Sequence, residues 1–236
     1  MTTFHPIILE CPKCSTLMSA YELMSYTVHR SKNYSDGKTE FGVPASKDIS
    51  ICTACRLPFW REDGRLPDDP DWEAHGDLGS VMDLHDLEWN FDDDRNEKTI
   101  AFYKDLLDNG FADTDEREVF LRVRIWWSVN DLLRHLSSWR SARNLKMLRA
   151  IIKHRREASS LFESYRELFD QNLEQLIFLY VKGDDVDLLY LANMYRESGN
   201  FSKAREILDK VERKSSSWRK LKRKVGKKDR KVFQLR

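Results

Sequence analysis

Four cysteines carry the most specific chemistry of this 236-residue chain. They fall into two pairs, Cys11-Pro12-Lys13-Cys14 and Cys52-Thr53-Ala54-Cys55. Two residues between thiolates let the backbone turn so that both sulfurs face one point. Two such turns complete a tetrahedral set of four sulfurs, the preferred structural arrangement for Zn²⁺. Thiolates are soft ligands, which disfavours magnesium and calcium. One structural Zn²⁺ per chain is the expected cofactor, with Cys11, Cys14, Cys52 and Cys55 as ligands; an iron centre or a redox pair are the alternatives. A thioredoxin-like redox site needs its C-x-x-C at a strand–helix junction of a larger α/β unit, which the pattern here lacks. Between the pairs lie 37 residues, more than the ~15–20 of a compact ribbon. A hairpin turning at Asp36-Gly37 accounts for the excess, since Asp-Gly favours positive φ. Four cysteine ligands leave no open position, so a site of this kind folds a protein rather than activating water.

Other reactive side chains lack a catalytic spacing. His85, Asp86 and Glu88 stand near one another without a metal-ligand pattern, and Asp92-Asp93-Asp94 lacks the spacing of a calcium loop. His5 and His29 are spare ligands beside a complete cysteine set. No phosphate-binding glycine loop and no nucleophile elbow occur. The expectation is a protein that is not an enzyme and has no small-molecule substrate. Charge gives the rival signal. The net charge is +1, yet residues 213–236 hold 12 Lys/Arg and one acid, leaving −10 for the rest. Arg219, Lys220, Lys222, Arg223, Lys224, Lys227 and Lys228 are candidate contacts to nucleic acid through phosphate neutralisation. Binding to an acidic membrane surface and a capping helix with a solvated face are the other readings of this tail.

The elements that must position these groups fall into three stretches. Residues 1–61 read as a small β zinc ribbon, with strand-like runs at Tyr26-Thr27-Val28 and Ile49-Ser50-Ile51. Residues 62–96 read as an acidic connector that packs Trp72, Trp89 and Phe91. Residues 97–236 read as a helical domain with the basic tail. Helices are expected from about 97 to Asn109-Gly110, then from Asp113–Glu116 through Leu133, with Trp126 and Trp127 as packing residues. Further helices are expected over 142–157, 159–170 and 173–181. A helical hairpin follows, over 186–197 and 201–212 about the turn Ser198-Gly199-Asn200. No run of 18 apolar residues exists, so no membrane span is expected. Met1–Glu10 lacks the basic start and apolar core of a secretion signal, which points to the cytoplasm, where paired cysteines read as metal ligands.

The last hairpin resembles a tetratricopeptide repeat. Leu191, Ala192 and Tyr195 match the first helix, Gly199 the turn, Phe201 the aromatic after it and Ala204 the close helix contact. Ser216 stands where the family often has proline. The wider pattern of Cys11-Pro12-x-Cys14, Tyr34-Ser35-Asp36-Gly37-Lys38, Cys52-x-x-Cys55 and Phe59-Trp60 resembles an uncharacterised group of bacterial zinc-ribbon proteins with tetratricopeptide-like helices. Arg122 to Trp127, followed by Asn130-Asp131, is similar to their first long helix. The resemblance implies a mainly α fold with an N-terminal zinc ribbon. Stacked helix pairs form concave surfaces for peptides or proteins. The expected role is therefore a scaffold that binds a protein partner or a copy of itself, with Tyr190, Asn193 and Arg196 as candidate protein contacts.

Overall fold

In the computed structural model, residues 3–25, 31–40, 48–66, 80–83, 95–134, 136, 139–183 and 186–235 are described. Tyr26–Val28, His29, Trp72, His85, Asp86, Glu88, Trp89, Phe91 and Asp92–Asp94, on which several sequence expectations rest, lie outside them. The described residues are mainly helical, with short antiparallel strand pairs at the N-terminal side. None of the described helices is long and apolar enough to cross a membrane. Two compact units form. One comprises residues 1–31 and 41–92, the other residues 32–40 and 93–236. These divisions differ from the expected 1–61, 62–96 and 97–236, because the segment 32–40 packs with the helices.

The first unit is built from two hairpins. Strands β1 (Thr3–Glu10) and β2 (Leu17–Ser25) pair antiparallel, with Glu10 opposite Leu17. Strands β5 (Ile49–Ile51) and β6 (Pro58–Trp60) pair antiparallel, with Ile51 opposite Pro58. One cysteine pair follows β1 and the other follows β5, so each occupies the tip of a hairpin. The one-turn helix α1 (Arg61–Gly64) follows β6, and β7 (Met82–Asp83) pairs with the free edge of β5. The core is small: Leu9, Met18, Ala20, Phe59 and Val81 pack together with Cys11 and Cys52. Gly64 is required by close approach. A Cβ there would lie 2.5 Å from the Glu10 carbonyl oxygen and 2.8 Å from the Phe59 ring.

The second unit begins with a hairpin from the middle of the cysteine-bearing sequence. Strands β3 (Lys32–Asn33) and β4 (Thr39–Glu40) flank the turn Tyr34–Lys38, in which the Tyr34 N–H donates to the Lys38 carbonyl at 2.9 Å. The expected Asp-Gly hairpin is therefore present. Helices α2 (Arg95–Asp108) and α3 (Asp115–Arg134) pack together, and α3 also packs on α4 (Leu145–Ser164) and α5 (Arg166–Lys182). Leu121, Ile125, Trp126 and Val129 form the fully buried stripe of α3. The three helices expected between 142 and 181 are two. The break falls at Tyr165, whose φ −96°, ψ 3° leaves the helical region. The Ser159-Ser160 pair does not stop α4, because both residues are exposed there and cost the helix little. Phe162 and Phe169 bridge the break with ring centroids 5.4 Å apart.

The hairpin of α6 (Leu188–Glu197) and α7 (Phe201–Asp209) forms as expected around Ser198–Asn200. Asp187 caps α6 by accepting from the Leu189 and Tyr190 N–H groups at 2.8 and 3.2 Å. Asn200 caps α7 through the Lys203 N–H at 3.1 Å. Such caps satisfy backbone donors that the first helical turn leaves free. Leu191 and Ala192 bury against this hairpin together with Ala204, Ile207 and Leu208. The basic tail forms α8 (Ser216–Gly226), which buries Trp218, Leu221 and Val225.

Candidate functional site

The four cysteines converge. Each pair is followed by a residue with positive φ, Ser15 at 54° and Arg56 at 61°. That twist closes two equivalent loops. The Ser15 N–H donates to the Cys11 carbonyl and the Arg56 N–H to the Cys52 carbonyl, both at 2.9 Å. One step outward, the Cys11 N–H reaches the Thr16 carbonyl and the Cys52 N–H the Leu57 carbonyl, both at 3.0 Å. The left-handed conformation costs a non-glycine residue roughly 1 kcal/mol, so both loops are held against a local preference. Neither Ser15 nor Arg56 carries a sequence signal for this; only the position after the second cysteine marks them.

The four sulfurs lie within 4.8 Å of one another. The Cys14–Cys52 separation is 3.6 Å and the Cys11–Cys55 separation 3.8 Å. A tetrahedral site with arms of about 2.3 Å has sulfur–sulfur edges of about 3.8 Å. A disulfide needs about 2.05 Å, and all four cysteines are free. Cys11 and Cys52 are buried, Cys55 is half-buried and Cys14 is exposed, so the cluster sits at the edge of its unit. The titration of the thiols splits. The hydrogen bond from Thr16, 3.2 Å away, pulls Cys14 down to about 6. A backbone hydrogen bond at Leu57 lowers Cys55, but burial and the neighbouring sulfurs outweigh it and push that thiol up to about 11. Crowded thiols resist joint ionisation, and a bound cation removes that resistance. This cluster is a potential metal-binding site, and its donor set suits a single soft, tetrahedral ion.

A second constellation lies inside the helical unit. Asp36, at the tip of the hairpin, is fully buried with the side chain of Arg134 at the end of α3. Arg134 grips it with both terminal nitrogens, at 3.0 and 2.5 Å. Asn130 Nδ2 donates both to Asp36 Oδ2 at 2.9 Å and to Glu197 Oε2 at 3.0 Å. Glu197 also accepts from Trp126 Nε1 at 2.8 Å, from Asn193 Nδ2 at 3.1 Å and from Arg196 Nη2 at 2.6 Å. Arg196 Nη1 donates to the carbonyls of Asp229 and Lys231, which fastens the chain after α8. Two buried carboxylates thus meet two buried guanidiniums. Burial pushes the Glu197 carboxyl up, opposed by the Arg196 charge. Burial works to lower Arg134, but its hydrogen bond to Asp36 wins and holds the guanidinium charged.

This arrangement corrects part of the expected protein-contact set. Asn193 and Arg196 are buried and spent on Glu197 and the C-terminal backbone, so they present no free surface. Tyr190 is half-buried, with ring centroids 5.3 Å from Trp126 and 5.4 Å from Tyr180. Sequence reasoning found the Asp36-Gly37 turn but missed Asp36, Arg134 and Glu197 as one network. Adjacent Arg196 and Glu197 on a helix read as surface residues by composition alone.

The described residues of the helical unit also form concave surfaces. A groove of about 860 Å³ runs along α5 and the start of the α6–α7 turn. Phe178 and Val181 project into it with 57% and 52% of their surface exposed. Glu167, Asp170 and Glu174 line the same groove, with Tyr195 on the α6 side. A smaller cleft of about 560 Å³ is lined by residues of α2, α3 and α5, including Asn172. Asn172 Nδ2 donates to the Arg122 carbonyl at 2.9 Å, while its Oδ1 is buried without a partner among the described residues.

The tail is tethered. Lys222 pairs with Asp209 at 3.4 Å, Lys224 with Asp229 at 2.6 Å, and Lys220 donates to the Gln234 carbonyl at 3.3 Å. Lys222 and Lys214 also lie over the Trp218 ring. Arg219, Arg223, Lys227 and Lys228 are exposed. His5 is exposed on β1, and the cysteine set is complete without it. No known protein family, curated protein or solved structure matches the chain.

Proposed function

We propose that the chain is a non-enzymatic scaffold, in which a Zn²⁺-stapled ribbon accompanies a helical unit that binds a protein segment. Zinc is favoured because the sulfur edges of 3.6 and 3.8 Å suit arms of about 2.3 Å. The observation that carries the binding role is the groove along α5. Large apolar side chains standing together in solvent mark an interaction surface. Here Phe178 and Val181 do so beside Glu167 and Glu174, while Asp170 is paired with Arg230 and Lys182 lies over the Phe178 ring. The matching partner is an extended or helical segment that offers an apolar residue flanked by lysine or arginine. The tetratricopeptide-like hairpin supplies the rigid wall of that groove through Tyr195 and Asn200.

The test is affinity capture from native cells with the full chain, its zinc content read in parallel by mass spectrometry. A stoichiometric protein partner is expected. Phe178→Ser and Glu174→Lys should each lose it at unchanged melting temperature, because both side chains leave the core intact. Capture that is indifferent to both substitutions overturns the groove as the binding surface.

A further inference from the structure

The tail drew attention as the basic segment of the sequence, yet a more open cationic surface lies on α4. From Arg140 to Arg156 the chain contains seven Lys/Arg and no Asp or Glu. Helix α4 buries only Ile151 and Phe162, which are 11 residues apart and share a face. Lys146, Arg149, Lys153 and Arg156 recur at intervals of three, four and three. At 3.6 residues per turn they lie about 140–160° around the helix from Ile151. All four are exposed. Lys146, Arg149 and Arg156 have no ion-pair partner among the described residues, and Lys153 has only Glu157, at 3.7 Å in solvent. The row extends about 15 Å along the helix.

From this geometry we infer that α4 binds the phosphate backbone of double-stranded nucleic acid without reading its sequence. Two features point there. The row is straight and uniformly cationic, with an acidic neighbour only at Lys153, where Glu157 lies in solvent, which suits an evenly spaced line of phosphates. It contains no aromatic side chain on which an unpaired base could stack, so a duplex fits better than a single strand. Leu145, Met147 and Ile152 are exposed on the same helix, so an anionic lipid surface is the rival that the vesicle measurement below must exclude. The helix N-terminus, capped by Asn144 accepting from the Met147 N–H at 2.8 Å, points its positive dipole end in the same sense as the nearby Arg143 charge. In α8, by contrast, Lys222 and Lys224 are partly neutralised by acids of the same unit.

The inference is tested with the full zinc-loaded chain and a fluorescent 20-base-pair duplex of arbitrary sequence, measuring anisotropy against salt. Four phosphate contacts give a slope of about −3.6 in log K against log salt, or a loss of about 150-fold between 50 and 200 mM. The double substitution Lys146→Gln/Arg149→Gln should weaken binding at 50 mM and reduce that loss to about 12-fold, each contact removing about one unit of slope. Arg149→Lys, which retains the charge, should bind as the parent does. Arg219→Gln/Arg223→Gln on α8 should leave the slope unchanged. Circular dichroism verifies that the exposed substitutions leave the helices folded. No duplex binding at 50 mM salt overturns the inference, as does a loss that follows the α8 substitutions rather than those on α4. Binding to phosphatidylserine vesicles in preference to the duplex overturns it in favour of an anionic lipid surface.

Discussion

The two units solve the same problem with different materials. Among its described residues, the cysteine-bearing unit sets two hairpins over a small core. It gathers four thiols at the hairpin tips, and two of its loops sit in left-handed conformations that a local sequence would not choose. The helical unit has a long apolar core through α3, α5, α6 and α7, and places a charged network in the middle of it. Hydrophobic burial needs no particular partner, whereas ligation and buried ion pairs demand named atoms at fixed distances. In both units those demanding interactions lie where distant parts of the sequence meet.

Disabling the cysteine set should have the largest effect. With the proposed zinc bound, Cys52→Ser or chelation should abolish the ordered hairpins of the first unit, because ligation of a structural zinc contributes on the order of 10 kcal/mol. The helical signal at 222 nm should largely remain while bound zinc falls to background. Full zinc content with unchanged melting in Cys52→Ser would break the comparison at its root. Next comes Arg134→Met, which leaves Asp36 buried without its main counter-charge. Urea denaturation should report a loss of about 3–5 kcal/mol, located in the helical unit. A loss below about 1 kcal/mol would show that the network contributes little.

Gly37→Ala should cost about 2 kcal/mol in the same measurement. The residue sits at φ +81°, and a Cβ would stand 2.7 Å from Tyr190 Cε2. The smallest effect belongs to Asp229. Burial works to raise its carboxyl, but the hydrogen bonds from Lys224 and the Lys231 N–H outweigh this and hold it below the ordinary value. A depressed carboxylate stabilises the fold above its unfolded pKa, and that contribution disappears as pH falls through the folded value. Asp229→Asn should therefore cost under about 1 kcal/mol near neutral pH and nothing once both forms are protonated. A penalty that grew on acidification would refute the sign.

The sequence foretold the cysteine cluster because ligand chemistry is local: two residues between thiols suffice to aim them. It foretold the α6–α7 hairpin for a similar reason, since periodic apolar positions and cap residues such as Asp187 and Asn200 act within a few residues. The division of α4 from α5 was misplaced: exposed Ser159 and Ser160 do not stop the helix, and the break falls at Tyr165, with the Phe162 and Phe169 rings meeting across it. The buried network was illegible for a different reason. Asp36, Arg134 and Glu197 are individually the residue types most often found in water, and only the fold brings them within hydrogen-bond reach.

The hairpin around Asp36 also sets a clock on synthesis. Ser35 Oγ accepts from the Phe233 N–H, a partner 198 residues further along the chain. At about 5–20 residues per second, the ribosome delivers that partner roughly 10–40 s after the hairpin emerges. Cys11 and Cys55 are separated by only 44 positions, an interval of roughly 2–9 s at the same speed. Thiol chemistry can thus close while the helices are still being made. The growing chain would then hold residues 32–40 as a waiting loop, tethered at both ends, which the last-made segment completes.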